Sequence, residues 1–88
     1  MSLIDEARKE INDIDKKMLD LFELRMEAVK KVLEYKKKNK LQILDEKREN
    51  EIIQKNLEML NNKSLEEYYL IFLKGVFDSS KKYQGDNL

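Results

Sequence analysis

Positions 3 to 39 contain neither Pro nor Gly, and their apolar residues step by three and four. Ile4, Ala7, Ile11, Ile14, Met18 and Leu21 are followed by Ala28, Val32 and Tyr35. That is the seam two helices share when they pack along their length. A helix from about Leu3 to about Asn39 would be roughly 50 Å long at 1.5 Å per residue. A compact domain of 88 residues has a radius of gyration of only about 12 Å. The rest of the chain is too short to cover such a stripe, so a second copy is expected to do so. The economical architecture is an intertwined helical homodimer.

Nothing downstream argues for strands. The chain has no Pro, and its only glycines are Gly75 and Gly85. Hairpins and tight turns need more punctuation than that, and the wealth of Lys, Glu and Leu suits helices. One all-α domain over residues 1–88, with three helices of which the first is long, is the expected fold. A link falls near Asn39–Ile43. The second helix should run from about Asp45, an acid at the positive end of the helix dipole, to about Leu60. "NNK" at 61–63 breaks it. Ser64 with Glu67 three residues on reads as a capping box for a third helix from about Leu65 to Tyr83 or Gln84. Gly75 inside that helix costs about 1 kcal/mol relative to Ala and suggests a close helix crossing. Tyr68, Tyr69, Phe72 and Phe77 read as core.

Charge and missing residue types remove several classes of function. Lys plus Arg number 18 and Asp plus Glu number 18, for a formal net charge of zero. A nucleic-acid binder wants a basic stripe, and a membrane-surface helix wants a polybasic face. No apolar run approaches the roughly 20 residues of a membrane span, and no signal peptide is legible. The expected location is the cytoplasm. With no Cys and no His, there is no thiolate or imidazole chemistry and no His- or Cys-based metal site. Neither a metal nor a cofactor is called for.

Against this background some charges stand on the wrong face. The seam of the first helix steps 4, 11, 18, 25, 32, and position 25 is Arg25. A buried Arg is costly unless paired. Lys36 projects from nearly the same face about 16 Å further on, whereas Arg8 lies about 80 to 100 degrees around the axis from both. Arg8 could therefore serve the pocket of a partner copy. On the second helix the apolar stripe is Ile52, Ile53, Leu57 and Leu60. Stepping back from Ile52 gives Arg48 or Glu49, then Asp45. On the third helix Leu73, Val76 and Phe77 lead to Ser80 and Gln84, a polar i,i+4 pair. Ser79 competes with Ser80, but the four-residue spacing to Gln84 favours Ser80. Taken singly, each feature has a bland explanation: a snorkelling Arg, a charged helix start, a solvated Lys run, a fraying C-terminus. Taken together they are inward and mutually compatible. Four cations (Arg8, Arg25, Lys36, Arg48) against two acids (Asp45, Glu49) leave a positive surplus that suits a guest with two negative groups.

The ordered set resembles the small all-helical chorismate mutases over essentially the whole chain. "ARKEINDIDKKMLDLFELRMEAVKKVLEYK" (7–36) is similar to the long first helix of that family. "ILDEKRENEI" (43–52) is similar to its second-helix opening, and "SSKKYQ" (79–84) to its C-terminal Ser–x–x–x–Gln. The resemblance implies a homodimer in which Arg8 is lent across the interface to a substrate carboxylate. It implies that Arg25 holds a carboxylate from the same chain, and that Lys36 contacts the ether oxygen and a carboxylate. Asp45 and Glu49 would lie near the ring hydroxyl, Arg48 would add positive charge, Ser80 would sit near a carboxylate, and Gln84 would donate to the ether oxygen. The link "LQIL" lacks the Pro common in the family, and Leu44 stands where a polar residue is common.

The implied reaction is the rearrangement of chorismate to prephenate, in aromatic amino acid biosynthesis. One C–O bond breaks and one C–C bond forms within one molecule, with no nucleophile, proton shuttle, metal or cofactor. Two rivals stand beside it. An isochorismate pyruvate-lyase would share the fold and the cationic pocket. A non-catalytic helical dimerisation module would explain the seam, but not the inward Arg25, Lys36, Ser80 and Gln84.

Overall fold

The computed structural model describes residues 2–88; Met1, which the expected domain 1–88 includes, lies outside the described residues. Its first helix, α1, spans Leu3–Lys38. Ser2 starts it, its Oγ accepting the Asp5 N–H at 3.3 Å. Asp5 and Glu6 sit in the first turn and Lys36, Lys37 and Lys38 in the last, each sign matched to its end of the helix dipole. The helix closes in a Schellman turn: Leu41 N–H donates to Lys36 O at 2.8 Å and Lys40 N–H to Lys37 O at 3.3 Å. Lys40 takes φ 55° to make it, a left-handed conformation that Gly would adopt at less cost.

The turn sends the link back toward α2, Glu46–Met59. Asp45 caps α2, its Oδ1 accepting the Arg48 N–H at 3.0 Å. A short 3-10 turn, Lys63–Leu65, follows, and α3 runs Glu66–Asp86. The expected capping box does not form. Ser64 lies inside the 3-10 turn, Leu65 precedes α3 without a side-chain cap, and the cap belongs to Asn62. Asn62 Oδ1 accepts from both the Ser64 N–H at 3.1 Å and the Ser64 hydroxyl at 2.6 Å. The Lys63 ammonium closes the end of α2 on the carbonyls of Leu57 and Glu58.

Three helices, with no strand among the described residues, make an elongated body of 55 × 25 × 16 Å with a radius of gyration of 16.2 Å. That exceeds the about 12 Å of a compact domain this size. The buried apolar core is Val29 and Leu33 from α1 with Leu73 and Phe77 from α3. On α1 this is not the expected seam. Residues 29 and 33 lie one position past seam residues 28 and 32, about 100 degrees around the helix, and α3 packs there. The seam itself is open: Ile4, Ile11, Ile14, Met18, Leu21, Val32 and Tyr35 are all exposed within this chain. Ile52, Ile53, Leu57 and Leu60 of α2 are half-buried.

Two further expectations are corrected. Tyr68 and Phe72 are exposed rather than core. Phe77 is buried, and Tyr69 is half-buried with its hydroxyl accepting from Asn56 Nδ2 at 2.8 Å. Gly75 meets no atom within 4 Å of where a Cβ would stand, so it marks no close crossing inside the chain. No helix among the described residues is long and apolar enough to cross a membrane.

Candidate functional site

The stripe of α1 that α3 covers is bracketed by two cations. Arg25, Val29, Leu33 and Lys36 follow the i,i+4,i+8,i+11 repeat of one helix face. The middle two are buried and the outer two half-buried, so apolar packing fixes the backbone from which both charged side chains leave.

The covering face of α3 has the same construction. Past Phe77 it presents Ser80 and Gln84, both buried, Gln84 at only 5% exposure. Buried polar groups must find partners, and these find α1. Arg25 Nη1 donates to Ser80 Oγ at 2.5 Å, while Ser80 Oγ donates to the Val76 carbonyl at 3.0 Å. Lys36 Nζ donates to Gln84 Oε1 at 3.3 Å and to the Ile43 carbonyl at 2.8 Å. Gln84 Nε2 in turn donates to the Ser80 carbonyl at 3.2 Å. One chain of hydrogen bonds therefore runs from the link through Lys36, Gln84 and Ser80, ending at Arg25. Ser79, the competitor of Ser80, bonds back to the Gly75 carbonyl at 2.8 Å on the exposed side.

Each group in this chain keeps capacity for a guest. An ammonium has three N–H donors, and two of those on Lys36 are used. An amide has two, and one of those on Gln84 is used. Arg25 has five, with one on Ser80. Spare donors fixed in place before a ligand arrives are what an electrostatic site needs.

These groups open onto one cleft of about 290 Å³ between the three helices, walled also by Asp45, Arg48 and Glu49 from the start of α2. That is near the lower limit for small-molecule pockets. Seven of the eight expected site residues meet there: Arg25, Lys36, Asp45, Arg48, Glu49, Ser80 and Gln84. Sequence left Arg48 and Glu49 as alternatives for the inward position, and both wall the cleft. Glu49 is the deeper, its side chain at 25% exposure. The Arg48 guanidinium lies nearer solvent, 3.7 Å from Glu51.

Arg8 is the exception. It is exposed and does not wall the cleft of its own chain. Seventeen residues separate it from Arg25, about 26 Å along the helix. Sequence reasoning missed one charged residue of the cleft, Lys81. It occupies an unspecified position of the Ser–x–x–x–Gln pattern, although helical pitch puts it only about 60 degrees from Gln84.

A second, wider groove of about 600 Å³ lies between the middle of α1 and α3, lined mainly by apolar side chains such as Met18, Phe22, Tyr69 and Phe72. It has the volume for a ligand but few polar groups to orient one. Among protein families, the model described as chorismate mutase type II matches residues 7–85 of this chain. No curated protein and no solved structure gives a significant match.

Proposed function

We propose that this chain, which belongs to the chorismate mutase type II family, carries out the family's reaction in the cleft between its three helices. The reaction itself follows from the family: the enzyme is an isomerase that converts chorismate to prephenate. The assignment of residues rests above all on the contact between Lys36 and Gln84. Their polar atoms lie 3.3 Å apart and each keeps a free N–H, so both can converge on one oxygen.

As the C–O bond of chorismate stretches, negative charge grows on the ether oxygen. Lys36 and Gln84 donate to it, and their preorganisation lowers the barrier. The Arg25 fork holds a carboxylate, because two parallel N–H donors fix its plane as well as its charge. Ser80 holds Arg25 in that pose. Arg48 adds positive charge at the rim, and Asp45 and Glu49 read the ring hydroxyl. Holding both carboxylates and the hydroxyl at once selects the folded conformer in which the bond-forming carbons meet. No proton changes hands.

The chain works as an intertwined homodimer, with Arg8 of one copy reaching the cleft of the other. The support is the uncovered stripe on α1, the elongated shape and the distance of Arg8 from its own cleft. The cytoplasm is the proposed location, on the strength of the family's biosynthetic role.

The direct test is incubation with chorismate, following its absorbance and identifying the product. Prephenate is expected. Salicylate and pyruvate from isochorismate, with chorismate untouched, would make the protein a lyase of the same fold. Failure to bind a bicyclic dianionic transition-state analogue would leave only a dimerisation module. The Gln84 amide does not titrate, and the chain has no His or Cys, so the rate should vary little with pH around neutrality. A sharp acid optimum would contradict Gln84 as the neutral donor.

A further inference from the structure

Two adjacent lysines on α3 have different surroundings. Lys82 points outward and pairs with Asp86 one turn on, at 2.9 Å, with both side chains well exposed. Lys81 lies one position back and turns into the cleft, its side chain only 34% exposed. Its Nζ stands 3.5 Å from Glu49 Oε2, across the gap between α3 and α2. A weaker approach to Asp78 on its own helix is 4.0 Å.

From the side of Glu49, the contact is singular. Arg48, its neighbour on α2, turns to Glu51 instead. Among the described residues, Lys81 is the one cation within ion-pair distance of Glu49. Among the described residues no hydrogen bond fixes that carboxylate. Yet Glu49 stands in a pocket for a dianion, where a loose carboxylate would repel the guest or swing out of reach of its hydroxyl.

We propose that Lys81 is a positioning residue of this site: its ammonium holds Glu49 Oε2, so that the other carboxylate oxygen stays available to the ring hydroxyl of chorismate. Lys81 acts through Glu49 and does not touch the breaking bond. The proposal rests on the assignment of Glu49 as a hydroxyl-reading group.

A double-mutant cycle tests both layers. Lys81→Met keeps the stem and removes the charge; kcat/KM for chorismate should fall about fivefold or more, with the melting temperature unchanged within a few degrees. Lys81→Arg should restore kcat/KM to within about twofold, because it restores the charge. Asp78→Asn should leave kinetics within about twofold, since it removes only the weaker partner on the same helix. Glu49→Gln should lower kcat/KM by itself, and Lys81→Met in the Glu49→Gln background should add nothing further. Native kinetics in Lys81→Met, or losses that multiply in the double variant, would overturn the role of Lys81 while leaving the site intact. Native kinetics in Glu49→Gln would overturn the assignment of Glu49, and the proposal with it.

Discussion

The two ends of α1 are made of similar residues and have opposite fates. From Arg25 to Lys36 the helix is backed by α3, and the two cations that bound this stretch, Arg25 and Lys36, are tied into a hydrogen-bonded chain. From Leu3 to Leu24 its apolar side chains lie open: Ile4, Ile11, Ile14 and Leu21 are each more than half exposed. Hydrophobicity does not distinguish the two halves. What does is whether a second element of the same chain can reach them. The closed end carries the cleft, and the open end carries Arg8 and the surface a second copy would bury.

The severest way to break that contrast is to spoil the open end. Ile14 is 52% exposed in the single chain and sits mid-seam. In a two-fold dimer it would be buried twice, at about 1.5–3 kcal/mol per copy. Ile14→Asp should therefore weaken self-association by about a hundredfold or more, and activity should fall with it as Arg8 is withdrawn. Sedimentation over a range of concentrations checks this. An Ile14→Asp protein that stays dimeric and active would mean that the stripe is covered in some other way.

Spoiling the closed end should leave association alone and remove turnover. Lys36→Ala and Arg25→Ala are each expected to lower kcat at least about a hundredfold, the scale of losing one preorganised donor at a developing oxyanion. Both should remain dimeric. Mixing Arg8→Ala with Arg25→Ala sharpens the comparison further. Each variant alone is impaired, but half of the randomly reassorted dimers would be mixed, each with one intact cleft of two. About a quarter of native activity should return by that count. No recovery after full exchange of subunits would place Arg8 outside the partner's cleft.

Much of this was legible in the sequence, for physical reasons that can be named. Helix type and number follow from periodicity and from the absence of Pro, and the bounds agree to within a residue or two at most ends. The cleft residues were legible because helical pitch carries a face forward: Phe77 points the way to Ser80 and Gln84. Lys81 was not legible. One residue of helix turns the side chain by about 100 degrees, and only the position of α2 decides whether that direction is solvent or cleft. Which face of α1 the third helix covers was not legible either. A seam is the strongest apolar signal on α1, yet α3 takes the weaker stripe beside it, Val29 and Leu33, and leaves the seam free.

The closed end also contains a local strain that can be relieved. Lys40 holds φ 55° so that the link can turn back and place the Ile43 carbonyl on Lys36. A side chain in that conformation costs about 1 kcal/mol relative to Gly. Lys40→Gly should raise stability by up to about that amount in denaturant unfolding, with turnover preserved because the turn is kept. A destabilised Lys40→Gly would mean that the Lys40 side chain contributes more than its backbone costs.

The smallest expected effect concerns the turn that returns the chain to the closed end. Ser64–Glu67 has the spelling of a capping box, but Ser64 sits inside the 3-10 turn, where its hydroxyl donates to Asn62 Oδ1. An exposed hydroxyl in that role is worth little. The cap is Asn62, whose Oδ1 accepts the Ser64 N–H, and losing a cap costs about 1 kcal/mol. Ser64→Ala should therefore change unfolding free energy by less than about 0.5 kcal/mol, and Asn62→Ala by about twice that or more. The reverse order would mean that α3 starts at Ser64 after all. Its first turn would then be fixed by Glu67, and the delivery of Ser80 and Gln84 to α1 would depend on a different residue.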